Sequence, residues 1–309
     1  MARAAPFRVQ ILPVVLLAMG SVFALMEPRF VSAENLTNVA RQLSVLAILA
    51  CGQLFAIVSG GIDLSPGSII GLVSVVSTLM VVEHGIAPGI AAGVGMGGLL
   101  GVVNGAMVAG LRIPPMIATL GMLYFARGAA FALTGGMPVE RVPQAFALLG
   151  KGSVGPVPVP AVIAGAVFLA SHVVLARLRI GRYILAVGAG EESARLAGIP
   201  TRFCKAAAYV LAGFLAGLAG VVLSARMGSG QPAIGEGLEF ESIAAAVLGG
   251  AKLGGGEGRV LGTVFGVLFL ALLGNGLNLV RVSSFTQMLV IGAVLIVAIV
   301  ADRLRQGWR

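Results

Sequence analysis

The stretch AAAYVLAGFLAGLAGVVLSA, residues 206–225, holds no Asp, Glu, Lys or Arg and is bounded by Lys205 and Arg226. About 20 such residues in helical form cross the hydrocarbon of a bilayer. A helix suits that medium because every backbone N–H and C=O finds its partner within the segment. The pattern recurs on both sides of it. Charge-free apolar stretches cover Val9–Met26, Leu43–Val58, Leu64–Val82, Ile86–Leu111, Val157–Leu175, Val260–Val280 and Val282–Ala301. A shorter run, Pro114 to Ala126, extends past Arg127 toward Leu133, and Ser242–Ala251 is too short to cross alone. Charged residues make up 11% of the chain, against roughly 25% in soluble domains. The sequence therefore predicts an all-α integral membrane fold of ten segments, a single domain over residues 1–309.

A net charge of +9 raises the question of nucleic acid, but the charges fall in loops and form no groove-reading motif. In a membrane protein such an excess reports orientation. Ten segments place both termini on one side. With that side cytoplasmic, the inner basic residues are Arg3, Arg8, Arg112, Arg177, Arg179, Arg182, Arg195, Arg202, Lys205, Lys252, Arg259, Arg303, Arg305 and Arg309. The outer ones are Arg29, Arg41, Arg127, Arg141, Lys151, Arg226 and Arg281. Fourteen against seven satisfies the positive-inside rule, and Glu236, Glu239 and Glu241 then cluster outside. Val9–Met26 is long for a cleavable leader and is followed by Glu27-Pro28-Arg29, so it reads as an uncleaved first helix. Two loops stand out. Residues 134–160, with five Pro from Gly135 to Pro160, read as an irregular outer loop. Residues 177–205 form the longest charged stretch, with a short helix expected at Glu191–Ala197. That loop is either a solvated connection or a docking element for a cytoplasmic partner.

Solute carriers often contain inverted repeats with Gly-interrupted segments at matching places. Here Gly61-Ile62-Asp63-Leu64-Ser65 and Gly237-Leu238-Glu239-Phe240-Glu241 share one pattern: Gly, apolar, acid, apolar, polar. Asn104-Gly105 follows the first and Asn275-Gly276 the second. In the assigned topology Asn104 lies toward the cytoplasmic end of its helix and Asn275 toward the outer end of its own, the relation an inverted repeat requires. Ser65 is expected to cap a helix and Pro66 to occupy its first turn, with Asp63 favoured beside the positive helix end. Asp63 is thus either a structural cap or a fixed polar element of a pathway or gate. Gln53, Asn104, Asn275 and Asn278 are pathway candidates, because amides in lipid need partners and often mark a route. Interhelical hydrogen bonding is the competing reading. Phe55, Tyr124, Phe125 and Phe285 read as packing or interfacial residues.

SGGIDLSPGSIIGL at 59–72, NGAMVAGLRIPPMIATLGM at 104–122, GRYILAVGAGEESARLAGIP at 181–200, and the block from QPAIGEGLEFESIAAAVLGGAKLGGGEGRVLGT at 231–263 to NGLNLVRVSSFTQML at 275–289 carry a resemblance. Together they resemble the permease subunits of bacterial ATP-binding-cassette importers of the ribose, xylose and arabinose class. The resemblance implies a half-pore completed by a second permease copy or a paralogue, a cytoplasmic ATPase and a periplasmic sugar-binding protein. It implies no cofactor on this chain, with ATP and magnesium on the ATPase, and a location in the bacterial inner membrane. It also implies a coupling helix in the central loop, on which Gly181, Arg182, Glu191, Glu192, Arg195 and Gly198 fall. Asp63 and Glu239 join the amides as pathway or gating candidates. The chain departs from the family at Pro66, where a small apolar residue is common, and at Ala189, where Asn is frequent.

No G-x-x-x-x-G-K-[ST] occurs; Gly249-Gly250-Ala251-Lys252-Leu253-Gly254 lacks the spacing. The isolated His84 and His172, with Cys51 and Cys204, form no metal-ligand pattern. Catalysis by this chain is not expected. An ion-coupled carrier usually holds ionisable residues in the membrane interior, and the apolar segments here have none. That carrier and a passive solute channel remain the alternatives.

Overall fold

The computed structural model describes residues 7–306. Arg3 and Arg309 of the charge count lie outside the described residues, as do the side chains of Arg8, Arg303 and Arg305. Each of the ten apolar segments coincides with a helix: α1 Phe7–Met26, α2 Ala33–Val58, α3 Pro66–His84, α4 Ile86–Gly105, α5 Pro115–Thr134, α7 Val159–Ala176, α10 Thr201–Met227, α11 Leu238–Leu248, α12 Val260–Leu279 and α13 Ser284–Gln306. Three more helices occupy the loops: α6 Gln144–Lys151, α8 Arg179–Ala189 and α9 Glu191–Leu196. Among the described residues, seven of the thirteen α-helices are long and apolar enough to cross a membrane. The chain is a multi-pass membrane protein.

Small residues set the centre of the bundle. Gly93, Gly97, Gly101 and Gly105 form one stripe on α4, and Gly213 and Gly217 face it from α10. A Cβ on Gly97 would lie 2.5 Å from the Gly213 carbonyl oxygen and from the Gly217 Cα. Only hydrogen at these positions lets the two backbones touch. Close approach of this kind replaces the hydrophobic drive that is missing between helices in lipid. On its other sides α10 packs against α2 and α3. Of these helices α2 is the most deeply enclosed, with Ser44 to Val58 buried without a break.

The packing carries the inverted repeat. Exchanging α2 with α10, α3 with α11, and α4 with α12 maps the contacts onto one another. As α10 lies on α3 and α4, so α2 lies on α11 and α12, and α2 and α10 meet each other. The second helix of each repeat begins after non-helical chain. Residues 61–65 precede α3. Before α11, residues 231–237 run without helix along three turns of α3. Gly230 lies against Ser74 and Thr78, the Gln231 N–H donates to Ser74 Oγ at 3.1 Å, Pro232 lies over Gly71, and Gly235 lies over Gly67. α11 has 11 residues, about 16 Å of helix, so it spans about half of a ~30 Å hydrocarbon core. The rest of that crossing is the broken stretch, which packs on α3 with Pro232 buried and Ala233 and Glu236 exposed. Non-helical backbone at membrane depth is tolerated where it rests on protein or lines a cavity.

Two faces close the bundle. On one, residues 134–160 are more ordered than their prolines imply. They fold into α6 and a two-residue hairpin, β1 Ser153–Val154 with β2 Val157–Pro158. Val139 bridges to Gly230, and Arg41 of α2 donates to Ser153 Oγ at 3.3 Å. The α6 sequence QAFALLGK buries only Phe146 and Gly150, because Gly150 lets it rest on the backbone of Ala225 and Arg226. The opposite face carries α8 and α9.

Candidate functional site

Three places gather the polar residues of this apolar chain, beginning at the face of α8 and α9. The α8 helix turns Gly181, Ile184 and Val187 inward. Gly181 abuts the backbone of Val174 and Leu175, and Arg182 Nη1 donates to the Arg177 carbonyl at 3.2 Å. Together they fix the sharp turn out of α7. Gly198 has φ +78°, a left-handed value that glycine adopts without steric cost, and it ends the α9 turn. Between these glycines α9 stands exposed. Glu192 accepts from Arg195 at 2.6 Å, and Glu191 pairs with Lys205 of α10. The Glu192 hydrogen bond and charge raise the Arg195 pKa, holding that guanidinium charged. All six sequence candidates of this loop therefore fall on one small unit.

That unit borders a groove of 1060 Å³ against the α4–α5 connection, reaching Arg112, Pro114, Phe203 and Arg202. Arg112 follows a π-helical stretch, Ala106–Gly110, and holds φ +58°, a conformation that costs a non-glycine residue energy and gathers at functional sites. Phe203 is 64% exposed. Sequence reading missed both. Arg112 looked like any loop arginine, and Phe203 sat unremarked at a helix start.

The second place is the start of α3. Asp63 and Ser65 are fully buried. Asp63 Oδ1 accepts from the Ser65 N–H at 2.8 Å and from Ser65 Oγ at 2.6 Å. Asn104 Nδ2 donates to the same Ser65 Oγ at 2.9 Å. Ser65 takes the expected N-cap position with Pro66 in the first turn, but it makes no side-chain capping bond, because its hydroxyl is spent between Asp63 and Asn104. Thr119 Oγ1 of α5 accepts from the Leu64 N–H at 3.1 Å. Asp63 Oδ2, Asn104 Oδ1 and the Tyr209 hydroxyl, all buried, have no hydrogen-bond partner among the described residues, and Tyr209 lies so close over Gly61 that any side chain there would clash.

The third place is the start of α11. Glu239 is not in an outer loop. It sits on the first turn of α11, 3% exposed, with Oε2 unpartnered and pressed against Gly67 of α3. The charge-free interior expected from sequence is thus corrected. Asp63 and Glu239 flank apolar segments in the chain, and the broken stretches carry them inside. Glu236 stays exposed and pairs with Arg127 at 3.0 Å. Asn275 does not join the acids as Asn104 does: it exchanges two 2.9 Å hydrogen bonds with Asn35 of α2. Asn278 and Glu241 line a cavity of 420 Å³ beside it. Gln53 is buried on α2 with both amide atoms unpartnered, and no hydrogen bond ties it to the other candidates. Phe55 is core; Tyr124, Phe125 and Phe285 lie on the surface of the chain.

One backbone junction joins two of these places. A Cβ on Gly188 of α8 would fall on the Val58 carbonyl and the Gly256 nitrogen, and Gly60 and Gly255 close around it. The Gly256 N–H donates to that Val58 carbonyl at 3.0 Å. The exposed helical loop thereby rests on the chain leading into Asp63 and on the chain leaving α11.

Broken membrane helices with enclosed acids, and a charged groove on one face, are the anatomy of a solute permease. The chain belongs to the family described as branched-chain amino acid transport system / permease component, whose match covers residues 35–299. The ribose import permease protein RbsC of Escherichia coli strain K12 is 41% identical over 298 residues, 95% of this chain and 93% of the relative. RbsC of Bacillus subtilis strain 168 is 37% identical over 286 residues, 91% and 88%. The L-arabinose transport system permease protein AraH of Escherichia coli strain K12 is 35% identical over 284 residues, 92% and 87%. No solved structure matches the chain.

Proposed function

We propose that the chain is the pathway-forming subunit of an ATP-driven importer for a monosaccharide. The observation that carries this reading is similarity over nearly the whole chain to permeases named for ribose and arabinose. The whole chain, residues 1–309, acts as one domain, with residues 177–205 as the coupling loop and 134–160 as the outer loop. Both termini and the α8–α9 face lie in the cytoplasm, and the membrane is the bacterial inner membrane. ATP and magnesium bind to a separate ATPase, and this chain holds no cofactor. A periplasmic sugar-binding protein delivers solute to the α6 face, and a second permease copy or paralogue completes the pore.

In this reading α9 seats in the ATPase. Glu191 and Glu192 face out beside Arg195, so the helix offers both signs of charge to a partner, while Gly181 and Gly198 set the bends that present it. Arg112 and Phe203 extend the seat across the groove. Motion of α9 reaches the pathway through the Gly188 junction, where Asp63 and Asn104 act in gating with Glu239. Asn275, Asn278 and Gln53 serve the pathway. The test is ATPase stimulation in proteoliposomes holding the complete importer. Arg195→Glu and Glu192→Lys are expected to insert normally yet lose coupling of hydrolysis to uptake. Full ATP-dependent uptake by both variants would refute the docking assignment.

A further inference from the structure

The 420 Å³ cavity on the α6 face is lined from α2, α10, α11, α12 and α13 and by the broken stretch before α11. Among the residues around it are Gln42, Arg226, Glu241, Asn275, Asn278 and Gln287. Six polar side chains from five apolar helices is a costly arrangement in a membrane protein, and such residues mark pathways. Their bonding is incomplete. Asn275 is engaged with Asn35, and Gln287 gives its Nε2 to the Val282 carbonyl at 2.9 Å. Among the described residues, Arg226 and Glu241 share the cavity wall without forming an ion pair, and no hydrogen bond engages the side chain of Asn278 or of Gln42. Opposite charges that face one space and do not meet leave room for a molecule between them.

We propose that this cavity is a solute subsite for a neutral polyhydroxylated molecule the size of a monosaccharide. The volume lies toward the small end of the roughly 300–1,000 Å³ typical of small-molecule sites. The chemistry fits: Glu241 accepts hydroxyl protons, Arg226 donates to hydroxyl or ring oxygens, and carboxamides do both, as each hydroxyl does. A second observation points to the same place. Gly235 and Gly237 hold φ +91° and +89°, so the broken stretch turns sharply in the cavity wall, and carriers place solute at such discontinuities. The subsite rests on the permease reading above and assigns to it a place of first contact within one chain.

Cysteine protection tests it. Cys51 and Cys204 are buried, so Gln42→Cys and Asn278→Cys report on the cavity, and Gln144→Cys on exposed α6 serves as control. The full chain in proteoliposomes is treated with a membrane-impermeant thiol reagent, with D-ribose, D-allose, L-arabinose or L-leucine present. At least one of the sugars is expected to slow labelling of both cavity cysteines, by about tenfold at ten times its Kd, and to leave Gln144→Cys unchanged. Adding Glu241→Gln to Asn278→Cys is expected to weaken that protection. No protection by any sugar, while the same variants assembled with ATPase and binding protein still import one of them, overturns the subsite and leaves the permease reading intact. Protection by L-leucine alone overturns the polyol assignment in favour of a zwitterion. Absence of sugar import by the wild-type importer defeats the permease reading and the subsite with it.

Discussion

The starts of α3 and α11 occupy matching places in the inverted repeat, and the chain treats them differently. Before α3, residues 61–65 fold tightly on themselves: Asp63 holds Ser65 twice, Asn104 reaches the same hydroxyl, and Tyr209 closes over Gly61. Before α11, a longer break runs along α3, buries Glu239 against Gly67, and leaves Glu241 facing a cavity. In the first half the amide of the repeat bonds the turn. In the second it turns away to Asn35. One copy of the pattern has become a closed polar knot and the other an open pocket. A repeat thus supplies the same backbone break twice, and side chains decide which copy closes on itself and which borders a cavity.

The largest effect is expected from cutting the knot. Asp63→Ala removes both bonds to Ser65 in a buried site, and its stability loss should be about 2–4 kcal/mol, read by thermal unfolding in nanodiscs. Asp63→Asn keeps the shape and should reduce uptake more than insertion; equal losses in both would make Asp63 a structural cap only. Next comes the junction that touches both halves. Gly188→Ala forces the backbone of α8 away from Val58 and Gly256, with an overpacking cost of about 1–3 kcal/mol, and ATPase stimulation should fall with it. On the open side, Glu241→Gln should lower sugar uptake while stability stays within about 0.5 kcal/mol of wild type. A large stability loss there would mean the second start is also a structural knot. The smallest effect belongs to the Asn35–Asn275 pair. A double-mutant cycle with alanine should return a coupling of about 0.6 kcal/mol.

Helix positions were readable because an apolar segment in lipid has few ways to satisfy its backbone. All ten segments meet a helix, although that of the short Ser242–Ala251 run is shifted, starting at Leu238 and ending at Leu248. The short α9 appeared where Gly190 and Gly198 bracket its charges. What sequence hid is depth. Asp63 and Glu239 stand outside charge-free windows, so a linear scan puts them in loops, whereas packing against α3 and α10 draws them inside. The cavity was hidden for a related reason. Gln42, Arg226 and Gln287 are single polar residues near helix ends, ordinary in isolation, and only the three-dimensional crossing of five helices collects them. Of the candidate amides, Asn104 was found with its acid and Asn275 without one, since five-residue patterns repeat backbone shape more faithfully than they repeat contacts.

The buried acids sharpen one question that a charge-free interior had closed, namely what drives transport. Uptake of labelled D-ribose or L-arabinose into proteoliposomes holding the permease, its ATPase and the sugar-binding protein answers it most directly. The account predicts concentrative uptake of a monosaccharide that requires ATP, persists when ion gradients are collapsed, and is lost in Arg195→Glu. Uptake that proceeds without ATP and follows an imposed proton or sodium gradient would contradict it.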